Sequence, residues 1–322
     1  MRFKEIGWNG FLVRVPENMH LTRHGGDHRE GIFLVGSEDS LIEVSWIPIS
    51  KKSKTSLLEI VDKITNRIKK EAGKKKMDFK IMERQDTVVN NHKAVYLLLD
   101  YGVKERYYIW RCPESNRTVA VRFFFRKYDE EARKIIKTLI DTIECHGEKY
   151  VWSFMKIRFE TPKTFLLNAT EIKSTEMNIA LLEEKLSTFE ERKRSIYVKY
   201  FPAANVRFKD TYRNLEEWFK KNYMGEFGKK ILKRRKVSFK IKGEKKLGSH
   251  TVLIEEAKFS GTFTRRGKEI CSVALWYCPE RNRIYFFALD TQVYRSFPFK
   301  IRLKAEEHEA LFNEILESFR CH

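Results

Sequence analysis

The sequence lacks any apolar run of the roughly 18 to 20 residues that a membrane-spanning helix needs. Its first residues, from Met1 to Trp8, also lack the apolar core of a secretory signal peptide. These two absences predict a soluble protein without membrane insertion, and we expect it to be cytoplasmic.

The usual catalytic signatures are missing as well. There is no Walker-type phosphate loop, no dinucleotide fingerprint, no His-Glu-x-x-His and no Gly-x-Ser-x-Gly. Gly25, Gly26 and Gly225 stand outside any such motif and are interpreted as loop or turn residues. We therefore expect a binding protein without enzymatic activity and without a cofactor.

Proline is also scarce, with 7 residues, whereas charged residues make up 34% of the chain and Lys and Glu are abundant. This bias is reported for heat-adapted proteins, so we expect a thermophilic, archaeal or similar source. The 322 residues are enough for two domains, and 42% hydrophobic with 13% aromatic residues can form two cores. The composition predicts a folded, two-domain chain.

An internal repeat supports this division. Trp110–Arg117 (WRCPESNR) and Trp276–Arg283 (WYCPERNR) share six of eight residues at an offset of 166. Further pairs follow in the same order: Trp8 with Trp152, Trp46-Ile-Pro48 with Tyr200-Phe-Pro202, His92 with His250, and Cys145-His146 with Cys321-His322. We infer two diverged copies, residues 1–147 and 148–322.

Both copies predict the same order of elements. An alternating strand (Phe11–Val15 or Met155–Phe159) and an extended run ending at Pro48 or Pro202 precede an amphipathic helix. Ser56 and Asn214 are candidate N-caps of these helices. About four strands and a second amphipathic helix follow, and the shared Cys-Pro-Glu segment lies between two strands as a turn. The expected fold class is α+β: two tandem copies of a two-layer domain, each a twisted antiparallel sheet with helices packed on it.

This order of elements, closing with Ser318-Phe319 in copy two and more loosely with Thr142-Ile143 in copy one, resembles the PsbP-like superfamily. That superfamily includes a photosystem II subunit, a Ran-binding adaptor and secretion chaperones. The resemblance covers nearly all of both copies, rests on pattern, and transfers no site residue. It implies a non-catalytic adaptor or chaperone scaffold.

Cysteines recur at Cys112, Cys145, Cys278 and Cys321, and Cys271 has no counterpart in copy one. They could be buried free thiols, disulfides joining Cys112 to Cys145 and Cys278 to Cys321, or zinc ligands. Each copy supplies only Cys, Cys and His without close spacing, so no metal is assigned. His92 and His250 begin equivalent strands, but no partner repeats beside them in the sequence, and they are interpreted as hairpin or solvent-edge residues.

Positive charge is the strongest functional signal. The net charge is +20, with 28 basic and 22 acidic residues in 1–148 (+6) and 36 against 22 in 149–322 (+14). Basic clusters follow the first helix of each copy, where a solvated helix end is the alternative interpretation. The candidate nucleic-acid-binding residues are Lys74, Lys75, Lys76, Lys229, Lys230, Lys233, Arg234, Arg235, Lys236, Lys240, Lys242, Arg265 and Arg266.

Lys240 and Lys242 alternate with Phe239 and Ile241, so lysines would line one strand face and could follow a phosphate backbone. The leading hypothesis is therefore an RNA-binding, ribosome-associated protein that uses a basic face of copy two. The alternative is an adaptor or chaperone that holds a protein partner in a groove between the copies.

Overall fold

A computed structural model describes residues 1–49, 55–173, 176–188, 190–207, 214–232, 237–259, 267–295 and 303–321. The contacts divide the chain into two compact units, Met1–Lys156 and Ile157–His322. No helix among the described residues is both long and apolar enough to cross a bilayer.

The first unit contains ten strands and two helices within its described residues. The strands are β1 Phe3–Trp8, β2 Phe11–Pro16, β3 His20–Gly26, β4 Gly31–Gly36, β5 Ser40–Pro48, β6 Lys80–Val89, β7 His92–Asp100, β8 Lys104–Cys112, β9 Arg117–Phe125 and β10 Lys149–Phe154. The helices are α1 Leu57–Lys74 and α2 Glu130–Thr142. One antiparallel sheet has the order β3-β4-β5-β9-β8-β7-β6, and β10, β1 and β2 are neighbours in a smaller sheet.

Helix α1 covers one face of the larger sheet. The Ser56 side chain accepts a hydrogen bond from the amide of Glu59, as the N-cap prediction requires. The buried side of the helix, centred on Val61, packs on Val95 and Leu97 of β7. Helix α2 packs mainly on β2. The Asp129 side chain caps the first turn of α2.

The second unit contains eight strands and several helices within its described residues. The strands are β11 Ile157–Pro162, β12 Leu166–Ile172, β13 Met177–Leu186, β14 Glu190–Pro202, β15 Val237–Leu247, β16 His250–Phe259, β17 Gly267–Cys278 and β18 Arg283–Arg295. The helices are α3 Ala204–Arg207, α4 Leu215–Asn222, α5 Met224–Glu226, a π-helical turn Phe227–Ile231 and α6 Ala305–Glu317. Its antiparallel sheet has the order β12-β13-β14-β18-β17-β16-β15, which repeats the order of the first unit's larger sheet.

Helices lie on both faces of this second sheet. Asn214 caps α4 by accepting from the amide of Glu217, and Trp218 and Phe219 pack with Phe286 in the core beneath α4. On the opposite face, Phe312 of α6 stacks on Phe287, with ring centroids 5.0 Å apart. Successive residues of β18 therefore pack on two different helices, because successive side chains of a strand point to opposite faces of the sheet.

The structure corrects two expectations. The described residues form mainly antiparallel sheet, because five strands precede α1 where the sequence predicted two. The strand β3, rich in His, Gly and Arg, carries too little apolar alternation to be recognised. Lys74 of copy one also does not follow α1, since it is the last residue of the helix and pairs with Glu71. Only Lys75, the C-cap, and Lys76 lie beyond it.

Candidate metal centres

His92 is placed by a tight hairpin between β6 and β7. Asn90 and Asn91 form the two-residue turn with φ of 38° and 69°, a conformation that asparagine tolerates better than most residues. The Asn90 side-chain amide donates to the carbonyl of Ile143 at 2.8 Å, and this bond ties the hairpin to the end of α2. His92 therefore begins its strand beside the segment that follows α2, and the hairpin interpretation is confirmed.

Cys112 ends β8 at the turn that recurs in both copies. The amide of Asn116 donates to the carbonyl of Pro113 at 3.0 Å, and Asn116 has a φ of 54°. The next residue, Arg117, pairs with Cys112 in the antiparallel register. This confirms that the Cys-Pro-Glu-x-Asn-Arg segment reverses the chain, with Cys112 at its start.

Cys145 and His146 follow α2 in a short tail that is held to β2. The amide of Glu144 donates to the carbonyl of Leu12 at 2.9 Å, and the amide of Leu12 donates back to Glu144 at 3.0 Å. This isolated bridge fixes the residue immediately before Cys145. The tail is therefore positioned by the β-sheet and not by a local motif.

These three segments bring four donor atoms together. Sγ of Cys112 lies 3.2 Å from Nδ1 of His146, and Sγ of Cys145 lies 3.6 Å from the same nitrogen. Nε2 of His92 lies 3.7 Å from Sγ of Cys145, and all four donor atoms are within 4.8 Å of one another. A tetrahedral zinc ion with Zn–S of ~2.3 Å and Zn–N of ~2.0 Å holds its donors about 3.3–3.8 Å apart. We call His92, Cys112, Cys145 and His146 the first cluster.

Hydrogen bonds to the backbone determine which nitrogen of His92 faces the cluster. Its Nδ1 lies 3.2 Å from the carbonyl oxygen of Val89 and 3.0 Å from that of Asn90. A carbonyl oxygen only accepts, so Nδ1 carries the proton and donates. Nε2 then presents its lone pair to Cys145, which is the arrangement that metal-binding histidines adopt.

The two sulfurs of the first cluster differ in acidity. A hydrogen bond from Cys145, with further help from Ser115, lowers the pKa of Cys112 to about 5, although burial acts in the opposite direction. That same hydrogen bond, together with burial, raises the pKa of Cys145. The pair therefore favours one thiolate and one thiol, and binding a metal through both sulfurs would release the remaining proton.

The second unit contains an equivalent group, which we call the second cluster. It consists of His250, Cys278 and Cys321, whose donor atoms lie within 4.8 Å of one another. Nε2 of His250 is 3.1 Å from Sγ of Cys321, and burial raises the pKa of Cys321 to about 12. His322, the counterpart of His146 in the sequence, lies outside the described residues.

The same structural devices position the second cluster. His250 begins β16 after a two-residue turn, and Asn282, with a φ of 50°, closes the turn after Cys278. The tail before Cys321 is bridged to β11 by two hydrogen bonds of 2.8 Å between Arg158 and Arg320. Each donor therefore has its counterpart in the first cluster.

All five cysteines are buried, and none of them forms a disulfide in the structure. Cys112 and Cys145 lie close together without a bond, so their disulfide, like that of Cys278 and Cys321, stays a prediction. Cys271 lies in the apolar core beneath α4, outside both clusters. Sequence reasoning assigned no metal because it counted only Cys, Cys and His in each copy. It missed His92 and His250, whose recurrence with the cysteines in both copies was the available signal.

The predicted nucleic-acid-binding residues are only partly described. Lys233, Arg234, Arg235, Lys236, Arg265 and Arg266 lie outside the described residues, as does the side chain of Lys230. Lys229 and Lys240 are exposed, whereas Lys242 pairs with Glu256 at 2.7 Å. Phe239 is buried but Ile241 is 41% exposed, so the expected apolar face ends at Phe239. A bulge after Ile241 interrupts the strand there.

Comparison with known proteins yields weak similarities. No protein-family model and no curated protein matches the sequence. Among solved structures, the immunity protein TplEi of the T6SS from Pseudomonas aeruginosa in complex with "L" peptide has a TM-score of 0.35 and 12% identity, covering 99% of this chain and 98% of that one. The apo structure of TplEi has a TM-score of 0.32 and 11% identity, covering 99% and 97%. These values are too low to show a shared fold.

Proposed function

We propose that this is a metal-binding protein in which each unit holds one Zn²⁺ ion through its Cys/His cluster. A single observation carries the proposal: His92, Cys112, Cys145 and His146 converge on one point, and three equivalent residues converge in the second unit. One such group could be a coincidence of buried thiols. Its recurrence with the same donors, on the same three segments, favours a retained ligand set.

The donor chemistry supports zinc. Two thiolates and two imidazoles are a common structural zinc ligand set, and three donor–donor distances in the first cluster, 3.2, 3.6 and 3.7 Å, are close to those around a tetrahedral ion. The ligands join a hairpin, a turn and the tail after α2, which are far apart in the chain. A bound ion would therefore cross-link, in each unit, the tail after the last helix to the strands that carry the histidine and the first cysteine.

We also propose that the two units are tandem copies of one ancestral domain. The matching strand order supports this, as do the Ser56 and Asn214 caps and the equivalent bridges at Glu144 and Arg320. The resemblance to the PsbP-like superfamily and the proposed division at residue 147 rest on sequence pattern.

The metal content of the purified protein tests the proposal directly. Protein purified without chelators should contain two equivalents of zinc by elemental analysis. After exchange, it should bind two equivalents of Co²⁺ and show the visible bands of tetrahedral cobalt with sulfur ligands. Cys112→Ser and Cys278→Ser should each lose one equivalent, and the double variant should lose both. When the free metal concentration is about 1,000 times the Kd, removing the ion from one unit should lower the free energy of unfolding of that unit by about 4 kcal/mol.

Cys271→Ser is the matched control, because Cys271 is a buried thiol outside both clusters. This variant should keep two equivalents of metal. A wild-type chain that binds neither zinc nor cobalt, or a Cys271→Ser variant that loses metal as the cluster variants do, would contradict the proposal.

A further inference from the structure

The two clusters differ in access to solvent. In the second cluster His250 is 7% exposed, Cys278 0% and Cys321 5%. In the first cluster both sulfurs are buried, but His92 is only half-buried and His146 is exposed. A ligand can therefore approach the first cluster from its histidine side.

A cavity of about 570 Å³ lies on that side. His92 and His146 form part of its wall, and the other lining residues also belong to the first unit. This volume is within the range of pockets that hold small molecules. Because His146 belongs to a short tail and reaches the cluster from the solvent side, it is the donor that can leave with the least rearrangement.

The cavity wall carries an excess of positive charge. Lys93 is exposed, and Arg111 is held in place by donating to the carbonyl of Thr55 at 3.0 Å. Glu114, the one acidic group among the described lining residues, has a carboxylate oxygen 3.4 Å from Sγ of Cys112. Two cations against one carboxylate favour an anionic ligand.

We propose that the first cluster is an exchangeable metal site that takes a small anionic ligand from this cavity, whereas the second cluster is a buried site that exchanges its metal more slowly. The inference rests on the proposed metal-binding function. In the exchange, an anionic oxygen or sulfur donor replaces Nδ1 of His146, which leaves as a neutral imidazole. No electrons are transferred.

Cobalt-loaded full-length protein tests this difference. EDTA, an anionic chelator, is added in excess, and the loss of the cobalt–thiolate absorption is followed with time. Two phases of equal amplitude are expected. The rate of the slow phase, from the second cluster, should be at least about tenfold lower than that of the fast phase, because buried donors are reached only through local opening. Cys278→Ser should show only the fast phase and Cys112→Ser only the slow one. Even where a variant folds poorly, the two phases of the wild-type protein show whether the clusters lose metal at different rates.

Charge selectivity is tested with the neutral chelator 1,10-phenanthroline beside EDTA. Lys93→Gln should slow the fast phase about threefold with EDTA and leave it unchanged with phenanthroline, since only the anion is attracted. Lys104→Gln, which removes an exposed lysine that does not line the cavity, is the matched control and should change neither rate.

The outcomes separate the two claims. Loss of both metals in one phase overturns the exchangeable site but leaves the proposed function standing. Equal effects of Lys93→Gln on both chelators overturn the anionic ligand. A chain that binds no cobalt overturns the proposed function itself.

Discussion

Nε2 of His250 lies 3.1 Å from Sγ of Cys321, although 71 residues separate them in the chain. The equivalent atoms of His92 and Cys145 are 3.7 Å apart across 53 residues. The second copy thus has 18 more residues between the two positions (71 − 53), and the contact is kept. A contact that survives such a change in chain length is consistent with a binding role for both pairs.

Thiol titration should distinguish metal ligands from disulfides. In denaturant without reductant, five thiols should react, because no disulfide joins the cysteines in the structure. In the native, metal-loaded protein, Cys112, Cys145, Cys278 and Cys321 should be protected until a chelator is added. Fewer than five reactive thiols in denaturant would instead support the disulfides Cys112–Cys145 and Cys278–Cys321.

Glu255 should make the second unit less stable as pH rises. It is 0% exposed, and burial, with a contribution from Glu216, raises its pKa from 4.5 to about 7, against the opposing effect of Lys220. Between these values the unfolded chain releases its proton first, so the free energy of unfolding falls as pH increases from about 4.5 to 7. Glu255→Gln should remove this dependence, so its stability relative to the wild type should be about 3 kcal/mol higher at pH 8 than at pH 4.5.

Urea denaturation at several pH values measures this effect. Glu244→Gln, which removes an exposed carboxylate from the neighbouring strand, is the control and should keep the wild-type pH dependence. An unchanged slope in Glu255→Gln would show that Glu255 is not the responsible group.

Arg122 should contribute strongly to the stability of the first unit. It pairs with Glu43 at 2.6 Å and with the buried Glu105 at 3.4 Å, and Tyr107 donates to Glu105 at 2.6 Å. Arg122→Met would leave the Glu105 carboxylate buried without its cation, at a cost of about 3 kcal/mol. Adding Glu105→Gln should recover part of this loss in urea denaturation.

An exposed ion pair serves as the comparison. Arg126 pairs with Asp39 at 2.8 Å, but both side chains are more than half exposed, at 76% and 63%. Arg126→Met should therefore change stability by less than about 0.5 kcal/mol. Equal costs for the two arginines would contradict the role assigned to burial.

The RNA-binding hypothesis predicts a steep dependence on charge and salt. Reversal of Lys233, Arg234, Arg235 and Lys236 to Glu should abolish binding of a labelled RNA in fluorescence anisotropy. Affinity of the wild type should fall steeply as salt increases, since phosphate contacts release counterions. Lys242→Glu should have a smaller effect, because Glu256 already pairs with Lys242. Binding that survives both the reversal and high salt would refute the hypothesis.

Local signals were sufficient for much of the fold. Helices α1 and α2 and the caps at Ser56 and Asn214 follow from apolar periodicity and from side chains that satisfy free amides. The turn after Cys112 follows from Pro, Asn and its repetition in the second copy. These features depend on neighbours within a few residues, so the sequence alone determined them.

The metal clusters could not be obtained in the same way. His92, Cys112 and Cys145 are separated by 20 and 33 residues and carry no close ligand spacing. The bridge between Leu12 and Glu144 and the bond from Asn90 to Ile143 bring the tail beside the hairpin. The sequence by itself determined which residues recur and which local elements form. The tertiary structure decided that the recurring Cys and His meet, because long-range strand pairing and not chain proximity sets their distances.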